Sequence, residues 1–132
     1  GFRNAVFDKQ TMDVIVNGQS KASFGKGYRA YLNTLNALGT VLYLRSHGKY
    51  CLPFLIVDSP ILSLKEKMKS SEAVSSPMRT SLFREFMRYQ VLLQIIIVEN
   101  EIPVMDYEDV QLIEFTKSKT EGRYGFLEDV TD

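Results

Sequence analysis

The sequence predicts an α/β fold in which a mainly parallel sheet is flanked by helices. Two apolar runs, 52–57 and 94–98, consist largely of leucine, isoleucine, valine and phenylalanine, the composition of strands that are buried in a parallel sheet. Apolar residues recur at steps of three and four in residues 27–45 and 81–93, which predicts two helices. With a first strand at Asp13–Val16, the order strand, helix, strand, helix, strand is typical of parallel α/β proteins.

The N-terminal residues predict a hairpin ahead of the first long helix. Asp13–Val16 is followed by Asn17-Gly18, a dipeptide typical of tight turns, and we expect Ala5–Asp8 to pair with this strand. Residues 19–25 are small, polar and glycine-bearing, as loops are. The long helix that follows contains no proline and presents a broad apolar face, so we expect it to pack against the sheet.

The second half of the chain predicts the rest of the sheet. The strand at 52–57 is followed by a predicted helix at 63–69 and a predicted loop at 70–77. The strand at 94–98 is apolar and β-branched almost throughout, so we expect both of its faces to be covered. Residues 109–115 are expected to add a strand near the edge of the sheet.

Length and composition predict one soluble domain. The 132 residues fit a single domain spanning 1–132, and a hydrophobic content of 45% is enough for a core. Sixteen basic and sixteen acidic side chains cancel, so no overall charge favours nucleic acid or membranes. The longest apolar run is far shorter than the roughly 20 residues that cross a bilayer. The single cysteine, Cys51, excludes an internal disulfide and is more common in a reducing cytosol, so we expect a cytoplasmic protein.

A glycine-bearing turn runs directly into the predicted long helix and is a candidate phosphate site. It reads Ser23-Phe24-Gly25-Lys26-Gly27. Backbone N–H groups and the positive end of the helix dipole converge at such a turn, and Lys26 and Arg29 add positive charge. The spacing is not that of a P-loop, which needs Gly, four residues and then Gly-Lys-Ser/Thr. The alternative is a purely structural turn in which Ser23 caps the helix.

The carboxyl ends of the two apolar strands carry the polar residues from which a second site can be built. Asp58 directly follows one strand, and Glu99 and Asn100 directly follow the other. Ligands of open α/β sheets collect at this edge, and in a nucleotide-binding sheet an acid there usually holds Mg²⁺ beside the phosphates. We therefore expect these three residues to border one crevice. The alternatives are that Asp58 caps the following helix and that Glu99 and Asn100 are ordinary loop residues.

Other residue combinations fit catalytic or metal sites less well. His47 and Cys51 have no second Cys/His pair, which argues against zinc. The lone histidine lies at a predicted helix end, where no Ser-His-Asp arrangement can be built around it. Asp58, Glu114 and Lys117 resemble the carboxylates and lysine of a metal-dependent nuclease, but their spacing differs from that pattern. The arginines of the second helix are predicted to form a solvated face: Arg79, Arg84 and Arg88.

The order and spacing of these motifs resemble the C-terminal part of the ATPase head of SMC/RecN-like ABC-class proteins. Four features carry the resemblance: the glycine turn that opens a long helix, the apolar strand that ends in Asp-Ser-Pro, a Ser-Leu pair, and an apolar strand that ends in polar residues. They are most similar to a bacterial family of SMC-like ATPases with Gly-Lys-Gly-[Tyr/Phe]-Arg-Ala and Asp-Ser-Pro motifs. The resemblance covers residues 13–103.

The resemblance implies that ATP and Mg²⁺ bind between two heads, most simply in a homodimer. It implies that Asp58 is the Walker B acid that orients Mg²⁺, that Ser63-Leu64 belong to the D-loop, and that Asn100 takes the place of the switch histidine. It further implies a signature loop that contacts the γ-phosphate bound by the partner head, formed by Ser23, Gly25, Lys26 and Gly27. Relatives act on DNA through a coiled coil, so repair, maintenance or defence of DNA is the implied role.

Departures from the family pattern bear on activity. Ser59 stands where relatives carry a catalytic glutamate, and its hydroxyl is a poor general base, a loss worth roughly 10²–10⁴-fold in rate. We therefore expect slow hydrolysis, or Glu99 to act in its place. Lys26 replaces a small or polar residue of the signature loop.

The sequence begins at Gly1 and contains no P-loop, so we expect the P-loop and the coiled coil to lie upstream and the chain alone not to hydrolyse ATP. Two other functions remain open at this point. One is a non-catalytic interaction or dimerisation module, and the other is a metal-dependent nuclease.

Overall fold

The described part of the chain contains five strands, two α-helices and a short 3-10 helix. The computed structural model describes residues 3–60 and 76–126. In chain order the elements are β1 (Ala5–Asp8), β2 (Asp13–Val16), β3 (Gln19–Ser20), the 3-10 helix Lys21–Ser23, α1 (Lys26–His47), β4 (Phe54–Asp58), α2 (Ser76–Tyr89) and β5 (Gln94–Val98). The predicted helix at 63–69, which includes Ser63-Leu64, lies outside the described residues.

The three N-terminal strands form an antiparallel sheet. β1 pairs with β2 from Ala5 opposite Val16 to Asp8 opposite Asp13, as the sequence predicts. Asn17 and Gly18 connect β2 to β3 with positive φ angles of 52° and 76°, the backbone that a two-residue hairpin turn requires. The Asn17 side chain also holds the start of the chain, because its Oδ1 accepts hydrogen bonds from the backbone of Arg3 and Asn4.

A second sheet consists of β4 and β5, which run parallel. The register pairs Phe54 with Gln94 at one end and Asp58 with Val98 at the other. The prediction of a mixed α/β fold is therefore confirmed, but the prediction of a mainly parallel sheet is wrong for the described residues. Three of their five strands are antiparallel, because two short turns, 9–12 and Asn17-Gly18, join neighbouring strands directly and leave no room for a crossover helix.

The hydrophobic core lies between the parallel sheet, the two helices and β2. Leu82 of α2 is fully buried, and Leu55 and Val57 of β4 face the same core. Burial raises the pKa of the Tyr31 hydroxyl, and the charge of Glu85 raises it further. The buried residues are Val16, Tyr31, Leu32, Leu38, Leu55, Val57, Leu82, Phe83, Phe86 and Leu93.

The opposite face of the parallel sheet is apolar and exposed. Phe54 and Ile56 of β4 and Ile96 and Val98 of β5 point away from the core, and Ile56 is 59% exposed. The prediction that β5 is covered on both faces is therefore wrong for this chain. A continuously apolar strand has two faces that favour burial, but the helices of the described residues cover only one of them.

Residues 99–126 follow β5 without forming a further strand or helix. The strand predicted at 109–115 is absent, and Phe115 makes only an isolated bridge to Arg123. Asp109 and Lys117 both have positive φ angles, 54° and 55°, which interrupt an extended backbone. This segment still contributes to the core, since Tyr107 packs edge-on against Phe83. No helix among the described residues is long and apolar enough to cross a membrane.

Candidate functional site

The carboxyl ends of β4 and β5 lie side by side. Asp58 pairs with Val98, and the backbone N–H of Ser59 donates to the Val98 carbonyl at 2.7 Å, so the parallel pairing continues one residue past the strand. Glu99 and Asn100 follow Val98 directly. The strand pairing therefore brings Asp58, Ser59, Glu99 and Asn100 to one edge of the sheet. We call this group the strand-end site.

Asp58 presents an exposed carboxylate at this edge. Its Oδ1 accepts a hydrogen bond from the Ser59 hydroxyl at 3.0 Å. No lysine or arginine in the described ranges forms an ion pair with it. A solvent-facing carboxylate beside a hydroxyl is a chemically suitable ligand pair for a hard cation such as Mg²⁺, which prefers oxygen ligands and keeps several waters.

Ser59 adopts an unusual backbone conformation between Asp58 and the buried Pro60. Its φ angle is 49°, in the left-handed region that side chains other than glycine rarely occupy. This conformation bends the chain immediately after the strand, and it turns the Ser59 hydroxyl back onto Asp58. The sequence does not predict this backbone, because a proline favours an extended conformation in the residue before it.

Glu99 and Asn100 are arranged differently from Asp58. The Glu99 side chain is half-buried, and its Oε1 accepts a hydrogen bond from the Asn100 backbone N–H at 2.9 Å. One carboxylate oxygen is thus held by the local turn. The Asn100 side chain is exposed, and its amide can both donate to and accept from a ligand.

The glycine turn before α1 is organised around Gly25. Gly25 is the N-cap residue, and its carbonyl accepts the first helical hydrogen bond from the Arg29 N–H at 3.0 Å. The Ser23 hydroxyl instead donates to the Ser20 carbonyl at 2.7 Å, within the 3-10 turn. The alternative in which Ser23 caps the helix is therefore wrong. Lys26 is exposed in the first turn, and Gly27 is buried beneath it.

The start of α1 is unusually basic. Its first turn contains no acidic residue, although a negative charge there would be favourable. Instead Lys26 and Arg29 add positive charge to the positive end of the helix dipole, and both are exposed. No aspartate or glutamate occurs anywhere in residues 14–57. Positive charge is therefore in excess in this part of the sequence, although the chain as a whole is neutral. This local excess of positive charge favours an anionic ligand at the turn.

α1 packs against β4, and residues 48–53 connect the two elements. Because so short a connection reverses the chain, the start of α1 and the carboxyl end of β4 both lie away from this connection.

The other metal combinations do not assemble in the described residues. Nowhere in 3–60 and 76–126 do three histidine, cysteine, aspartate or glutamate side chains group around a possible metal position. This includes Asp58 and Glu114 of the nuclease-like pattern, as well as His47 and Cys51. The nuclease alternative therefore lacks a multi-carboxylate centre in this part of the chain.

The arginines of α2 do not all lie on a solvated face as predicted. Arg84 and Arg88 are exposed, and Arg88 pairs with Glu85 at 3.8 Å. Arg79 is only half-exposed, and its Nε atom is buried.

Comparison of the chain with known protein families, with curated proteins and with solved structures gives no match. The function therefore has to be inferred from the strand-end site and the glycine turn. The first offers a carboxylate that suits a cation, and the second offers a basic helix start that suits an anion.

Proposed function

We propose that this chain is the C-terminal lobe of an SMC-like ABC-class ATPase head that binds ATP and Mg²⁺ between two heads. The observation that carries the proposal is the exposed Asp58 carboxylate at the parallel strand ends, in a chain whose helix α1 has a basic start and packs against the same strand. Such a combination suits a metal-bound triphosphate, because Mg²⁺ needs oxygen ligands and phosphate needs N–H groups and positive charge.

In this proposal each predicted residue has a distinct task. Asp58 holds Mg²⁺, which neutralises charge on the β- and γ-phosphates when bound. Asn100 donates a hydrogen bond to a phosphate oxygen of the same nucleotide. The signature-loop residues Ser23, Gly25, Lys26 and Gly27 bind the γ-phosphate of the nucleotide held by the partner head.

The residue that activates the attacking water is where the proposed site differs most from the family that it resembles. The Ser59 hydroxyl already donates to Asp58 and has no basicity at neutral pH, so it orients the carboxylate rather than deprotonating water. Glu99 directly follows the neighbouring strand, and its Oε1 accepts a hydrogen bond from the Asn100 N–H. We propose slow hydrolysis with Glu99 as the base.

The open face of the parallel sheet supports the idea of a lobe within a larger head. Parallel sheets are almost always covered on both faces, and two strands alone form a marginal sheet. Exposed Phe54, Ile56, Ile96 and Val98 are suited to packing against the half of a head that carries the P-loop. We propose that this half precedes the chain, and that the heads act in the cytoplasm on DNA through a coiled coil.

The decisive experiment measures ATP turnover by the natural full-length polypeptide that contains this chain. Asp58→Asn keeps the shape of the side chain and removes its charge, so we expect at least a roughly 100-fold loss of turnover. The matched control is Glu114→Gln, an exposed acid outside the strand-end site, which should leave turnover unchanged. Full activity of Asp58→Asn would refute the proposed magnesium ligand. DNA cleavage lost in both variants would instead favour the nuclease.

The proposed sharing of the site between heads has a separate test. Lys26→Glu should prevent ATP-dependent dimerisation, measured by light scattering, because it places a carboxylate against the partner's γ-phosphate. Lys49→Glu makes the same charge change beyond the other end of α1 and should dimerise normally. Equal dimerisation of the two variants would contradict a role for the glycine turn.

An interaction module without catalysis is the second candidate, and the exposed apolar sheet face favours it. Such a module would associate through that face whether or not nucleotide is present. Association of the full-length polypeptide that is insensitive to ATP and Mg²⁺, but lost on Ile56→Asp, would support the module against the ATPase.

A further inference from the structure

The end of α1 and the loop that follows it are exposed to solvent without interruption. Every residue from 43 to 50 is exposed, and the sequence reads Tyr-Leu-Arg-Ser-His-Gly-Lys-Tyr. We call residues 43–50 the aromatic tip. None of them belongs to the strand-end site or to the glycine turn, so an activity of the tip does not rest on the proposed function.

The aromatic tip presents rings with open faces. Tyr43 and His47 lie one helical turn apart and stack, with ring centroids 4.4 Å apart and an angle of 13° between the rings. The His47 Nδ1 donates to the Tyr43 carbonyl at 3.1 Å, which holds the imidazole in this position. Tyr43 is 61% exposed and Tyr50 is 82% exposed, so each ring keeps a surface for a ligand. Exposed rings that occur together in this way mark an interaction surface.

The charge of the aromatic tip is positive. Arg45 and Lys49 are exposed, and neither forms an ion pair within the part of the chain that the structure describes. The Lys49 Nζ lies 5.4 Å from the centroid of the Tyr50 ring, so a charge and an aromatic face stand together. Residues 86–98 reach the same end of the parallel sheet, where their backbone bonds to the Pro53 carbonyl, and they contain no aspartate or glutamate. Neither segment carries a charge that would repel an anionic partner.

We propose that the aromatic tip binds single-stranded nucleic acid. Unpaired bases have flat faces that stack on tyrosine and histidine rings, and the phosphates between them attract arginine and lysine. Tyr43 and Tyr50 supply the stacking faces, and Arg45 and Lys49 supply the charge. A duplex suits the tip less well, because its bases are already stacked on one another. A membrane surface also suits it less well, because the tip has one leucine and no phenylalanine or tryptophan to enter an apolar layer.

The test titrates the whole ¹⁵N-labelled chain with an oligothymidylate of about eight nucleotides. We expect saturable shifts of the backbone amide resonances of residues 43–50, and weaker binding of an abasic strand that has the same length and charge. If Arg45 and Lys49 each contact one phosphate, the logarithm of the affinity should fall with the logarithm of the salt concentration with a slope of about −1.4. Lys49→Gln should then reduce the size of this slope by about 0.7.

Substitutions of Tyr50 separate stacking from other contacts. Tyr50→Phe keeps the ring and should bind oligothymidylate as the unmodified chain does. Tyr50→Leu keeps an apolar side chain without the ring and should weaken binding at least about fivefold. Because Tyr50 is so exposed, neither change should alter the fold, and thermal unfolding of both variants checks this. The matched control is Phe126→Leu, which removes a similarly exposed ring outside the tip and should leave binding unchanged.

Equal affinity for the thymidylate and abasic strands would overturn the proposal, as would equal affinity of the Tyr50→Leu and Tyr50→Phe variants. Shifts of residues 43–50 that only vesicles containing phosphatidylserine produce would also overturn it, and would assign the tip to a membrane surface. Oligouridylate of equal length distinguishes the two sources of single strands. Tighter binding of oligouridylate would support the proposal with RNA as the partner, and tighter binding of oligothymidylate would support it with DNA.

Discussion

The exposure of one face of the parallel sheet predicts very different costs for the same substitution at adjacent residues of β4. Ile56 is 59% exposed on the outer face, whereas Val57 is 8% exposed and belongs to the core. Threonine keeps the β-branched shape at both positions and adds a hydroxyl. At residue 57 that hydroxyl is buried without an acceptor, which costs about 1–3 kcal/mol of unfolding free energy. At residue 56 water hydrates it.

The cost of Ile56→Thr then reduces to the apolar group that is lost. Ile56→Thr loses the terminal methyl and exchanges a methylene for the hydroxyl, and each of these two apolar carbons is worth about 0.8 kcal/mol when it is fully buried. Since Ile56 is about two-fifths buried, the expected loss is roughly 0.6 kcal/mol. Urea unfolding followed by circular dichroism at 222 nm measures both variants, because the chain has no tryptophan. Equal costs would show that the outer face is covered, and would refute its proposed role as a surface for the rest of a head.

Three further predictions concern single residues. Because Ser59 has φ of 49°, Ser59→Gly should be more stable than Ser59→Ala by about 1 kcal/mol, and the reverse order in urea unfolding would contradict the left-handed backbone. The hydrogen bond from Lys21 holds the pKa of Asp13 below its ordinary value of 3.8. The resulting stability is present above this pH and lost as pH falls below it, so Asp13→Asn should weaken the pH dependence of urea midpoints between pH 5 and 2. Fully buried Leu82→Ala should cost about 2–5 kcal/mol, whereas exposed Leu112→Ala should cost less than about 1 kcal/mol in thermal unfolding.

Local signals predicted much of the secondary structure. The turn at Asn17-Gly18 requires a positive φ at both residues, and both angles are positive. This requirement concerns only two adjacent residues, so the dipeptide is sufficient to predict the turn. The strand predicted at 94–98 matches β5 at both ends, and the helix predicted at 27–45 is α1 with a few residues added. Each of these elements is determined by a pattern within a short window of sequence.

Contacts between distant segments were harder to predict. The apolar run of β5 favours burial on two faces, but sequence periodicity does not reveal whether a second layer is present to cover Ile96 and Val98. The expected strand at 109–115 has suitable β-branched residues, yet strand formation requires a neighbouring edge to pair with, and only Phe115 has one, in Arg123. Arg79 was assigned to a solvated face by its spacing, because a helical pattern does not predict which loop packs against it.

The sequence predicts which residues lie close together at the strand-end site, but it does not predict the local geometry on which their chemical roles depend. Parallel pairing of β4 with β5 is sufficient to bring Asp58 near Glu99, and this follows from two strands joined through a helix. The backbone of Ser59 is not predictable in this way, yet it determines what the site can do. The Ser59 N–H extends the pairing to the Val98 carbonyl while φ of 49° ends the strand. Asp58 is therefore the last residue with a fixed strand backbone, and its carboxylate is held at a rigid edge, with the Ser59 hydroxyl as its neighbour. A glutamate in place of Ser59 would set a second negative charge beside Asp58. In the proposed ATPase, the serine instead leaves one carboxylate for the metal, and the proton would go to Glu99, which directly follows the adjacent strand.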